Sequence, residues 1–75
     1  MSRQTNGAIR EVQVNGEWRE FTDGSSLTDL LSSLGLPEKG LAIAVNGDVV
    51  PKADWPQTLV HPASRIEIVT AVQGG

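Results

Sequence analysis

The stretch "SSLTDLLSSLGLP" constrains the fold more than any other. Leu27, Leu30, Leu31 and Leu34 fall at offsets 0, 3, 4 and 7, which is one apolar stripe along a helix. Ser26 is placed to cap its start, with Asp29 in the first turn beside the positive end of the helix dipole. Gly35 suits the left-handed position just past the end. Leu36 is placed to fold back on the last turn, and Pro37 stops propagation. A helix of under three turns does not hold alone in water. Its four leucines therefore need an apolar surface supplied by the rest of the chain.

The flanking segments read as strands that can supply it. In "IREVQVNGEWREF", Val12 and Val14 alternate with polar residues and are followed by Asn15-Gly16. Asn-Gly between alternating runs signals a hairpin, because both residues tolerate positive φ. A two-residue loop would pair Val14 with Glu17. A three-residue loop with a bulge would put Trp18 beside Val14 and bury more apolar area, which makes it the expected register. "GLAIAVNGDVV" gives a second hairpin around Asn46-Gly47, with Leu41, Ile43 and Val45 on one face. Pro51 and Pro56 punctuate "VVPKADWPQTL", so Asp54 and Trp55 belong to a turn or short 3₁₀ segment. "SRIEIVTAV" alternates Ile66 and Ile68 with Arg65 and Glu67. The element order is strand, strand, helix, strand, strand, short turn, strand, as in a two-layer α+β domain of four or five strands packed on one helix. If the first and last strands are sheet neighbours, the last strand is held centrally. Gly74-Gly75 then projects from a rigid edge.

Composition removes several functions. The 75 residues suit one small domain. With no cysteine there is no disulfide and no thiolate metal ligand. The net charge is −3 with no basic stripe, which disfavours nucleic-acid binding. No apolar run approaches bilayer-spanning length, and "MSRQTNGAIR" lacks a signal-peptide core, so a cytoplasmic location is expected. His61 is the sole histidine, so no dyad or metal cluster is expected. Asp29, Asp48 and Asp54 are accounted for by the helix start and turns. Trp18 and Trp55 are expected to contribute core area, with a role as partner anchors the alternative. The glycines are scattered singly before the end, so no phosphate-binding loop is present. By strand alternation, Ala42, Ala44, Val69 and Ala71 point away from the helix-facing set. They form a small apolar patch suited to docking on a larger enzyme, or one of the scattered apolar surfaces common on small sheets.

Three stretches, "AIAVNGDVVPKADW", "RIEIVTAV" and the terminal "GG", together with the "VNGE" hairpin and the "SLTDLLSSLGL" helix, resemble the ThiS family of sulfur carriers in thiamine biosynthesis. The likeness covers about residues 9 to 75. It divides the chain into an arm at residues 1–8, a domain at 9–73 and a tail at 74–75. The fold it implies is the ubiquitin-like β-grasp, a mixed sheet wrapped around one helix with the diglycine free in solvent. The chain departs from the family pattern in the arm Met1 to Ala8, in "HPAS" at residues 61–64, and in Gln73 before the diglycine.

The resemblance implies a carrier, not an enzyme, that binds no cofactor of its own. An E1-like (ThiF-like) adenylating partner uses ATP and magnesium to convert the Gly75 carboxylate to an acyl-adenylate. A persulfide donor turns that into a thiocarboxylate, and a ThiG-like thiazole synthase receives the sulfur. Glycine suits the task, because Gly74 and Gly75 lack a Cβ and can thread a narrow channel. The other readings are a carrier for molybdopterin or cysteine synthesis, a protein modifier joined through Gly75, and a plain interaction domain. "VVPKADW" favours the thiamine type.

Overall fold

The helix begins where its cap can form on both sides. In the computed structural model, which describes residues 8–70, the Asp29 backbone N–H donates to Ser26 Oγ at 3.1 Å and the Ser26 N–H donates to Asp29 Oδ2 at 3.0 Å. This reciprocal capping box satisfies two of the N–H groups that a helix start leaves without partners. The helix α1 spans Leu27–Ser33. At its other end the Leu36 N–H reaches the Leu31 carbonyl at 2.9 Å and the Gly35 N–H reaches Ser32 at 3.0 Å. Gly35 lies at φ 74°. These two bonds form a Schellman motif, in which a glycine without Cβ takes the left-handed position. The Leu36 backbone folds back as the sequence predicts, although its side chain remains partly exposed.

Among the described residues, five strands pack around this helix: β1 Ile9–Val14, β2 Glu17–Thr22, β3 Leu41–Val45, β4 Asp48–Val50 and β5 Arg65–Thr70. Their order in the sheet is β2-β1-β5-β3-β4. β5 runs parallel to β1 and antiparallel to β3, so the last strand occupies the centre. Residues of period two on β1 and β5 and of helical period on α1 meet in one core. Val12, Phe21, Leu27, Leu31, Ile43 and Ile66 are among its buried members. A 3₁₀ segment at Lys52–Gln57 closes one end and buries Trp55, whose Nε1–H donates to the Val50 carbonyl at 2.9 Å. An indole thereby fills the core without leaving its polar atom unpaired. A single bridge between Ser26 and Leu59 ties the segment after the 3₁₀ turn to the helix start.

The first hairpin corrects the expected register. Val14 pairs with Glu17 and Gln13 with Trp18, which is the two-residue loop, and Trp18 stands on the open face at 56% exposure. Asn15 and Gly16 both have positive φ, at 53° and 82°. That is the turn whose twist matches paired strands. Val14 obtains its burial from the core without the indole, and the tight turn leaves Asn15 free to bond β5. The Asn46-Gly47 turn repeats the geometry at φ 52° and 90°.

Candidate functional site

The tail-bearing strand is held from both sides by the two Asn-Gly turns. The Asn15 N–H donates to the Ile66 carbonyl at 2.9 Å, and its side-chain Nδ2–H donates to the Ile68 carbonyl at 3.1 Å. Asn15 Oδ1 accepts from the Ile68 N–H at 2.9 Å. On the opposite side the Asn46 N–H donates to the Arg65 carbonyl at 2.8 Å, while Asn46 Oδ1 accepts from the Arg65 N–H at 2.9 Å. An asparagine side chain carries one donor and one acceptor side by side, as a peptide group does. Each turn therefore continues its strand's ladder by one further residue. Sequence reasoning valued these asparagines only for their positive φ. Their second role links positions 53 residues apart for Asn15 and was not visible locally.

The open face of the sheet, opposite the helix, carries most of the expected docking patch. Ala42 lies opposite Val69 and Ala44 opposite Glu67, while Ile43 pairs with Ile68 on the core side. Ala42 and Ala44 are half-buried and Val69 is 57% exposed. Ala71, the fourth expected member, lies outside the described residues, as do Gly74 and Gly75. Val49 joins the patch instead. It pairs with Ala44 and is 73% exposed, while Val50 packs on the core. The signal was the same alternation that placed Ala42 and Ala44, but a three-residue strand is too short to display it. Across the sheet the row Trp18, Gln13, Arg65 runs from β2 to β5. Trp18 thus sits at the far edge, about three strand spacings or ~14 Å from Ala44. Glu11 and Glu67 are exposed on the strands between them.

The chemistry available within the domain itself is sparse. Among the described residues no group of three or more His, Cys, Asp or Glu could hold a metal ion. His61 is exposed in the turn before β5. A concavity of about 320 Å³ lies between the helix end and the first hairpin, with Val14, Asn15, Leu34 and Ile68 in its walls. No helix among the described residues is long and apolar enough to cross a membrane.

Comparison with known proteins connects this geometry to a family. The ThiS family model matches residues 12–75. The chain is 34% identical over 65 residues to a thiazole synthase of Paramagnetospirillum magneticum, covering 87% of this chain. It spans only about a fifth (20%) of that protein's length. It is 26% identical to the sulfur carrier protein ThiS of Escherichia coli, covering 87% of this chain and 98% of that one. Among solved structures, the thiamine biosynthesis protein ThiS of Geobacter metallireducens superposes with a TM-score of 0.72 at 26% identity, covering 87% of this chain and 99% of that one.

Proposed function

The chain belongs to the ThiS family and has its ubiquitin-like β-grasp fold, and on that premise we propose that it is a sulfur carrier for thiazole formation in thiamine biosynthesis, loaded at the Gly75 carboxylate. The observation that carries this reading is the place of β5. The strand that leads into residues 71–75 is the central strand, with hydrogen-bonded neighbours on both sides. A carrier needs its reactive end mounted on a base that does not move with it.

The chemistry follows from the weakness of a carboxylate as an electrophile. A Gly75 oxygen attacks the α-phosphorus of ATP, held with magnesium in an E1-like partner, and pyrophosphate leaves. The terminal sulfur of a persulfide then attacks the acyl carbon and AMP departs. A second thiol cleaves the resulting acyl disulfide by joining the donor's sulfur, which releases –COS⁻ on the carrier. The thiocarboxylate sulfur is nucleophilic and passes to a thiazole synthase. Donors for the developing negative charge and the metal belong to the partner. The carrier contributes reach and access. Residues 71–75 span at most about 17 Å when extended. The absence of Cβ at Gly74 and Gly75 lets the acyl carbon approach to about 3–3.5 Å of the attacking group.

The apolar set Ala42, Ala44, Val49 and Val69 is the surface on which the larger partner docks. Support for a thiazole synthase as recipient comes from the relative of that name, since one polypeptide there includes a stretch similar to this chain. The test is intact-mass spectrometry after incubation with a ThiF-like enzyme, ATP, magnesium and a persulfide donor. Exchange of one oxygen for sulfur at a terminal Gly75 is the expected result. High-mass conjugates would indicate a protein modifier, and an unchanged mass a plain binding domain. Deletion of the gene should create a thiazole requirement; a molybdenum-cofactor or cysteine defect in its place assigns the carrier to another pathway.

A further inference from the structure

The sheet is thinnest where the tail departs. β4 pairs with β3 only from Ile43 to Val45, so Leu41 and Ala42 form an outer edge at that end. On the other side of β5, the parallel ladder with β1 contains only the pairs Gln13–Arg65 and Val14–Ile66. β1 then turns away at Asn15, where φ is 53°. Its backbone can follow β5 no further than the bond from Asn15 N–H to the Ile66 carbonyl. The pair of bonds between the Asn15 side chain and both peptide groups of Ile68 is what extends two-sided support toward Thr70.

We propose that Asn15 is a positioning residue for loading of Gly75: its side-chain amide holds the root of the tail in the sheet and so fixes where and in which direction the tail enters the adenylating partner. This rests on the carrier reading above. With the clamp in place, β5 is anchored on both sides to within two residues of Thr70. Without it, two-sided support ends at Ile66, and the stretch between that support and the reacting carbon grows from seven residues, 69–75, to nine, 67–75. Effective concentration falls with about the −3/2 power of tether length, so loss of the β1-side support lowers the loading rate about 1.5-fold. Ala42, Ala44 and Val49 of the docking patch lie on β3 and β4, and Val69 stays paired with Ala42 of β3, so the patch keeps its geometry. The loss therefore appears in kcat for adenylation, with KM for the carrier unchanged.

Asn15→Gly is the informative variant, because glycine keeps the positive φ of the turn and removes only the amide. The matched control is Asn46→Gly, in the same kind of turn, whose lost bond lies at Arg65 at the start of β5. Asn15→Asp, which keeps the acceptor for the Ile68 N–H and loses the donor, is the second variant. Full-length carriers would be compared by pyrophosphate release with ATP, magnesium and the adenylating enzyme, alongside amide exchange at Ile68. The expected result is at least tenfold faster exchange at Ile68 and an about 1.5-fold fall in kcat for Asn15→Gly. Asn15→Asp should fall between it and wild type, and Asn46→Gly should match wild type. Unchanged kcat despite faster exchange at Ile68 overturns the proposal, and so does an equal fall in the two glycine variants. A wild-type chain that supports no pyrophosphate release overturns the carrier reading itself and this inference with it.

Discussion

Replacing Ala63 by glycine should make the protein more stable, although it removes a methyl group and adds no contact. Ala63 sits at φ 66° in the turn His61-Pro62-Ala63-Ser64, closed by the Ser64 N–H to the His61 carbonyl at 3.3 Å. Proline at the second position and positive φ at the third define a type II turn, which ordinarily takes glycine or asparagine where this chain has alanine. The left-handed conformation costs an L-residue roughly 1–2 kcal/mol, because Cβ crowds the following carbonyl. Glycine escapes that but loses roughly 0.4–1 kcal/mol through the greater freedom of its unfolded chain. The side chain is exposed, so deleting the methyl forfeits no packing. The net expectation is about 0.5–1 kcal/mol of added stability, or a rise in Tm of about 3–6 °C for a domain of this size. Urea and thermal unfolding of Ala63→Gly and Ala63→Asn would measure it, with Asn expected to gain at least as much because it tolerates the conformation without glycine's entropy. A neutral or destabilised Ala63→Gly would refute the reasoning, since it would mean that the turn relaxes around alanine without strain.

Three other outcomes are expected. Trp55→Phe should lose about 2–3 kcal/mol, because it opens space in the core and leaves the Val50 carbonyl without its indole partner; unfolding midpoints in urea would show it. Val69→Glu should leave unfolding within about 0.5 kcal/mol, as expected for an exposed position. It should also raise KM for the adenylating partner about tenfold or more with kcat little changed, and an unaltered KM would remove Val69 from the docking surface. Deleting Gly75 should abolish sulfur loading, read as mass gain, while thermal unfolding stays nearly unchanged, because the last residue of a chain generally buries little.

The site was legible to different depths. Alternation alone placed Ala42, Ala44 and Val69 on the open face, because side-chain direction along a strand has period two whatever the partner strand is. It missed Val49, whose strand is only three residues long. The expected register of the first hairpin failed for a related reason. Setting Trp18 beside Val14 gains apolar burial only for a hairpin that stands alone. In the folded chain Val14 is already covered by the core, and the tighter turn brings three hydrogen bonds between Asn15 and β5.

What the amino-acid order determined by itself is everything that depends on neighbours within a few positions. The capped helix start at Ser26, the Gly35 stop, the positions of both Asn-Gly turns and the 3₁₀ segment around Trp55 follow from local sterics and local hydrogen bonding. Only the tertiary structure decided that β5 inserts between β1 and β3, that Trp55 is buried while Trp18 faces solvent, and that the Asn15 amide reaches Ile68. Those outcomes are set by competition among distant segments for one small core and for one strand's unpaired peptide groups, and no local pattern records which segment wins.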